Sequence, residues 1–380
     1  MTSNLVEIRN LRLNFITYEG TVKVLDGIDL DIIKGESLGL VGETGCGKSV
    51  TALSILRLLP PNAEIVSGEI IFKDEMDILK LDEEELRRIR GKEISMIFQE
   101  PTRALHPTLT AGMQIAENIV LHRREELIYD VLKTINGKQD NPSFVNNLQI
   151  RTLRKFHDVI IKNSNSHILK IIDKVPILKG YKKLIQEEAR KKSVEMLKKV
   201  LIADPEKVAN QYPFELSGGM MQRTLIAMAI SCNPTLLIAD EPTTALDVTT
   251  QAKILDLIRL LKEQINMSML YITHDLGVIW ELCDRVAVMY AGTIVELSDT
   301  KTIFKKPIHP YTIGLLNAVP VIGRDEELKS IPGFIPNFLS PPSGCRFHPR
   351  CEQMKRRCQE EKPKLLEIEE GHFVACHLYS

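Results

Sequence analysis

The sequence predicts an α/β protein: a parallel-sheet core carrying a phosphate-binding loop, an antiparallel β subdomain, a helical subdomain, and a small Cys-rich C-terminal domain. Three observations predict it. A short apolar run, ESLGLV, leads directly into GETGCGKS and then into the helical pattern VTALSILRLL. A second apolar run, LLIADEP, ends in two carboxylates. Between them the residue pattern changes from two-residue alternation to helical spacing, as in EEARKKSVEMLKKVLI.

Composition bounds the rest. The 380 residues are long enough for a large core and more than one structural unit. A hydrophobic fraction of 44%, a charged fraction of 26% and a net charge of −1 describe an ordinary globular chain with no overall drive towards nucleic acid or acidic lipid. The start, MTSNLVEIRN, is polar and lacks an apolar h-region, so export is not expected. No run of about 18 apolar residues is present to span a bilayer. Seven cysteines in a chain expected to stay in a reducing compartment argue for burial or metal binding rather than disulfides. Cys46, Cys232 and Cys283 stand alone among apolar or Gly-rich neighbours, where packing is their expected role.

Taken in chain order, residues 5–35 and 65–73 alternate apolar and polar, as in a small antiparallel sheet. Residues 36–59 and 232–296 carry the parallel core. Within it, Gly42, Glu43, Thr44, Gly45, Cys46, Gly47, Lys48, Ser49 and Val50 form a strand–loop–helix P-loop, which implies ATP. The three glycines let backbone N–H groups face phosphate oxygens, and the following helix adds its positive end. Lys48 supplies charge to the β- and γ-phosphates, and Ser49 a hydroxyl to Mg²⁺. Ligands of a parallel sheet sit at the carboxyl ends of its strands, so Asp240 and Glu241 are expected beside those phosphates. Asp240 then positions Mg²⁺, and Glu241 polarises the attacking water.

LSGGMMQR, residues 216–223, is a second nest of N–H donors opening a helix. One nucleotide needs one such loop, so the second is surplus unless two chains share each nucleotide. Here the chain resembles the ABC-transporter ATPase family of P-loop NTPases. LSGGMMQR resembles its signature motif, LLIADEP its Walker B segment, Ala245–Asp247 its D-loop, Gln99 in SMIFQEP its Q-loop, and His274 in YITHD its switch histidine. The resemblance implies that two cassettes close head to tail around two ATP molecules. Ser217, Gly218 and Gly219 of one would touch the γ-phosphate held by the other. It makes Glu241, His274 and Gln99 catalytic, with Gln99 also a Mg²⁺ ligand. It places an aromatic residue against adenine, Phe15 by spacing, with Tyr18 as the alternative.

FQEPTRALHPTLTAGMQIAEN, ADEPTTALDVTTQA and KKPIHPYTIGLLNAVP resemble the ATPases of peptide importers, one of two unlike ATPase subunits in particular. Nickel importers share the last stretch, and a soluble ABC protein acting on nucleic acid is a further alternative. One cassette without sustained heptads disfavours that last reading. The expected partners are two transmembrane permeases, a second unlike ATPase and, indirectly, a peptide-binding protein. The expected place is the cytoplasmic face of the membrane, with no nucleic acid bound. The ATPase domain is expected over residues 1–300, its helical subdomain over about 100–231. An insertion over about 123–182 is longer than the family's pattern. Residues 123–200 hold 18 Lys and Arg against 9 Asp and Glu, a pattern read as a solvated surface excursion.

Residues 301–380 are expected as a C-terminal extension. Five prolines over residues 320–343 oppose long regular elements there. Cys345, Cys351, Cys358 and Cys376, with gaps of five, six and 17 residues, are expected to hold one metal centre. A [4Fe–4S] cluster is favoured and Zn²⁺ is the alternative, because the close Cys pairs usual for zinc are missing and basic residues lie between the thiols. His348, His372 and His377 are possible substitutes for one thiol.

Overall fold

The computed structural model describes residues 3–137, 176–244, 246–319 and 331–380. These fall into two compact units, residues 1–99 with 235–380, and residues 100–234. The D-loop Ala245 and residues 138–175 of the expected insertion lie outside the described residues.

In the first unit the strands are β1 (Asn4–Thr17), β2 (Gly20–Ile33), β3 (Ser37–Val41), β4 (Ala63–Phe72), β5 (Met76–Asp77) and β6 (Ile94–Ile97). They continue with β7 (Leu236–Asp240), β8 (Ser268–Thr273), β9 (Arg285–Tyr290), β10 (Thr293–Asp299), β11 (Leu366–Glu369) and β12 (His372–Val374). β1 and β2 form an antiparallel hairpin with Leu13 opposite Leu25 and Phe15 opposite Val22. The four-stranded sheet runs β2-β1-β4-β5. Its alternation buries Ile8, Leu11, Leu13, Leu25 and Ile28, which pack on Leu38, Leu40, Leu236, Ile238, Leu270 and Ile272 of the second sheet.

That second sheet runs β11-β12-β10-β9-β3-β8-β7-β6. β6, β7, β8, β3 and β9 pair in parallel, so their carboxyl ends share one edge of the sheet. β3 and β7 are buried along their whole length, which is why each reads as a continuous apolar run rather than an alternation.

The tail departs from the expectation of a small domain of its own. Residues 301–380 belong to the first unit, and β12 pairs antiparallel with β10, Glu296 opposite Val374 and Leu297 opposite Phe373. The edge of β10 offers unpaired backbone groups, and β12 satisfies them while burying Val374. Buried polar contacts fasten the segment before it. Glu296, fully buried, accepts hydrogen bonds from the Ile308 and His309 backbones (2.9 Å each) and from His372 Nε2 (2.8 Å).

The second unit is helical. Its helices include Ala111–His122, Arg124–Gly137, Pro176–Lys199 and Gly218–Ile230. Ile115, Ile119, Leu127, Ala189, Leu197 and Ile226 are buried within it. Gly112 lies so close to Ala209 that a Cβ would sit 2.7 Å from its carbonyl oxygen, so only glycine fits there. Among the described residues, no helix is long and apolar enough to cross a membrane.

Candidate functional site

The loop leaves β3 at Val41. A Cβ on Gly42 would stand 2.1 Å from the Met289 carbonyl oxygen, and Gly47 caps the helix Lys48–Ile55 at φ 108°, so side chains are excluded at both positions. Lys48 is buried, and its Nζ donates to the carbonyls of Gly42 (2.7 Å) and Glu43 (3.0 Å), which holds the ammonium inside the loop. Thr44 and Gly45 are exposed, and Val50 packs against the core. The Cys46 thiol is buried, and burial pushes its pKa up, which fits a packing role.

Ser49 Oγ donates to Asp240 Oδ1 at 3.1 Å, across 191 residues of chain. Asp240 ends β7 almost fully buried. Burial, reinforced by neighbouring Glu241, raises its pKa despite Ser49 and Lys48. A buried carboxylate beside a hydroxyl is an oxygen donor pair suited to Mg²⁺, and the Gln99 amide stands one residue along, on Glu241.

Glu241 is the centre of the arrangement. Its Oε1 lies 3.0 Å from His274 Nδ1, and its Oε2 accepts from Gln99 Nε2 (2.8 Å) and Thr244 Oγ1 (3.1 Å). Three chain-distant strand ends, those of β6, β7 and β8, thus deliver one carboxylate and its partners. Burial would raise the Glu241 pKa, but the His274 and Thr244 hydrogen bonds and the Lys48 charge outweigh it and hold the carboxyl below its usual range. The residue sits at φ 44°, a left-handed conformation that costs a non-glycine residue about 1–3 kcal/mol and that clusters at working sites. Motif reading missed both that strain and Thr244, which lies three residues past Glu241 and has only its place in the turn to mark it. Gln99 and His274 are exposed.

Ser217 caps the helix Gly218–Ile230 and accepts from the Met220 backbone. Ser217 and Gly218 are exposed and Gly219 is half-buried. These three belong to the second unit. Asp247 caps the helix Val248–Ile265 through the Thr250 backbone. Phe15 is half-buried on β1 and packs against the core. Tyr18 is 96% exposed in the hairpin turn, its hydroxyl on Glu19.

The tail reaches the loop in a way the motifs do not announce. The Glu43 backbone N–H donates to the Tyr311 hydroxyl at 2.9 Å. Arg350 Nη1 donates to both Glu43 carboxylate oxygens at 3.0 and 3.1 Å.

The four tail thiols differ from the expected centre. Among the described residues, no group of three or more His, Cys, Asp or Glu side chains is gathered to hold a metal ion, and all four cysteines are free thiols. Four of the five basic residues expected to balance a cluster are engaged elsewhere, while the charge of Lys355 still acts on Cys376. Arg346 pairs with Asp26, Arg350 with Glu43, Arg356 with Glu360 and Arg357 with Glu361. The histidines are engaged too: His348 on the Cys345 carbonyl, His372 on Glu296, and His377 on Ser380 and the Glu361 carbonyl.

Comparison with known proteins agrees with this geometry. Residues 25–244 match a family model described as ABC transporter, and residues 295–358 one described as oligopeptide/dipeptide transporter, C-terminal region. A probable peptide ABC transporter ATP-binding protein, y4tR, of Sinorhizobium fredii is 43% identical over 375 residues, covering 98% of this chain and 94% of that protein. The dipeptide transport ATP-binding protein DppD of Bacillus subtilis is 40% identical over 375 residues, with the same two coverages. Among solved structures, the ATP-binding cassette MJ0796, in a dimeric post-hydrolysis state bound to ADP and Pi, aligns with a TM-score of 0.53 and 26% identity. That alignment covers 78% of this chain and 98% of the cassette.

Proposed function

This chain belongs to the ABC transporter ATPase family and carries its oligopeptide/dipeptide transporter C-terminal region; from that premise we propose that it powers import of di- and oligopeptides. It is an ATP-binding and ATP-hydrolysing subunit, and membrane permeases are its partners. The observation that carries the reading is Glu241, held by Gln99, Thr244 and His274 beside the Lys48–Ser49–Asp240 cluster.

The loop backbone and Lys48 hold the β- and γ-phosphates, and Phe15 is the stacking candidate for adenine, with Tyr18 as alternative. Ser49, Asp240 and Gln99 would hold Mg²⁺, which when bound offsets phosphoryl charge. Glu241, ionised and oriented by its three partners, accepts the proton of the attacking water, and positioning with electrostatic stabilisation supplies most of the acceleration. Ser217, Gly218 and Gly219 complete the site of a facing cassette, a reading supported by the dimeric state of the related MJ0796. That facing cassette is a second, unlike ATPase subunit. The pair serves two permeases at the cytoplasmic face of the membrane, fed by a peptide-binding protein. The test is uptake by vesicles holding this chain, its unlike partner and the adjacent permeases. ATP-dependent accumulation of labelled dipeptide or oligopeptide is expected; accumulation of Ni²⁺ and not peptide overturns the cargo.

We also propose that Cys345, Cys351, Cys358 and Cys376 bind one metal centre, [4Fe–4S] in preference to Zn²⁺. The supporting observation is their mutual influence. Cys345 is pushed up to about 11, first by burial and then by the other three thiols, and Cys376 is raised by burial and by Cys351 and Cys358. The backbone brings two of them together, the Cys345 N–H donating to the Cys358 carbonyl at 2.8 Å. No step of ATP hydrolysis passes through this centre. Anaerobic purification should give a brown protein with about four irons per chain; a colourless protein with one zinc decides for the alternative.

A further inference from the structure

Glu43 is an awkward residue for a loop that binds polyphosphate, because its carboxylate opposes the charge of the ligand. The fold answers at every polar group of this residue. Its N–H donates to Tyr311 Oη (2.9 Å), its carbonyl accepts from Lys48 Nζ (3.0 Å), and its carboxylate takes Arg350 Nη1 on both oxygens. Arg350 is itself held rigidly. Its Nε donates to the Pro332 carbonyl (2.8 Å) and its Nη2 to the Ile331 carbonyl (3.3 Å). Its guanidinium lies over the Tyr290 ring, 5.7 Å from the centroid, and the side chain is 6% exposed. Tyr290, Tyr311 and Phe347 pack on one another with centroids 4.7–5.4 Å apart, so the tail and the loop share one apolar wall.

We propose that Arg350, from the cysteine-bearing tail, is a positioning residue for ATP binding: it neutralises Glu43 and fixes the loop so that its N–H donors meet the phosphates without an opposing carboxylate. A guanidinium suits the task because its planar fork serves the carboxylate and two backbone carbonyls at once. The tail is thereby part of the nucleotide site in function, although Arg350 lies 307 residues from Glu43 along the chain.

The proposal rests on ATP being bound at Lys48, and the experiment separates the two. Binding of a non-hydrolysable ATP analogue with Mg²⁺ is titrated on the full chain and its variants. Lys48→Ala tests the phosphate site alone. Arg350→Ala should weaken binding roughly tenfold, the scale of one uncompensated charge near a polyphosphate. The decisive comparison repeats Arg350→Ala in a Glu43→Gln background, where the added loss should shrink to about twofold or less because no carboxylate remains to be balanced. Arg350→Lys, which keeps the cation and loses the two carbonyl contacts, should recover part of the affinity. An equal loss in both backgrounds, or no recovery with Lys, makes Arg350 a purely structural residue and overturns the proposal. If Arg350→Ala does not fold, Arg350→Met and Arg350→Lys carry the same comparison.

Discussion

The phosphate loop and the cysteine-bearing tail are both poor in regular structure, and they are ordered by opposite means. The loop is ordered locally. Gly42 and Gly47 occupy backbone positions closed to other residues, and Lys48 bonds to carbonyls five and six residues away. The tail is ordered from a distance, by polar pairs that are buried or half-buried on at least one side: Glu296 with His372, Asp26 with Arg346 and Lys362, Glu43 with Arg350. The difference teaches why one region can be read from a motif and the other cannot. A contiguous pattern survives in the sequence as spacing; a contact across some 300 positions leaves none.

The comparison sharpens if the tail's anchors prove costly to remove. Glu296→Ala deprives two backbone N–H groups and a buried histidine of their acceptor, and should cost about 3–5 kcal/mol in chemical denaturation. An unchanged midpoint would mean that the tail is ordered by its apolar contacts alone. Tyr311→Phe leaves the Glu43 N–H without its partner and should cost about 1–3 kcal/mol, read as a lower Tm of the nucleotide-free chain.

Acid separates the two regions. His309 is fully buried and accepts a hydrogen bond from the Tyr311 backbone, and burial lowers its pKa from 6.5 to about 3. The folded state therefore keeps it neutral while the unfolded chain protonates. Its contribution is complete above pH 6.5 and declines as pH falls towards 3, by at most about 1.4 kcal/mol per pH unit. Denaturation across that window should flatten in His309→Gln; an identical slope would remove His309 from the account. Smallest is Thr244→Val, which takes one hydrogen bond from Glu241 and should slow hydrolysis by a factor of about two to five.

Much of the fold was legible. Apolar alternation marks β1, β2 and β4, and the buried runs at Ser37–Val41 and Leu236–Asp240 mark two central strands. At the site, proximity of Ser49 to Asp240 follows from the rule that parallel strands present their carboxyl ends together. Three things were not legible. Thr244 and the positive φ of Glu241 depend on the turn after β7, which its Pro-Thr-Thr sequence does not single out. The docking of β12 on β10 depends on an edge being open, a property of the sheet and not of residues 372–374. The basic residues between Cys345 and Cys358 were read against the nearest thiols, whereas the fold turns Arg346 and Arg350 towards Asp26 and Glu43. Sequence proximity was the wrong measure there, because long, buried arginine side chains find carboxylates wherever the chain brings them.

The central claim is that Glu241 is the carboxylate that activates water while the loop around Lys48 holds the nucleotide. Its most direct test is steady-state hydrolysis and nucleotide binding by Glu241→Gln, freed of contaminating ATPase and assembled with its partner subunits. The account predicts ATP affinity within a few-fold of the unchanged chain and turnover reduced by about 10²–10⁴. Near-normal turnover by Glu241→Gln would contradict it.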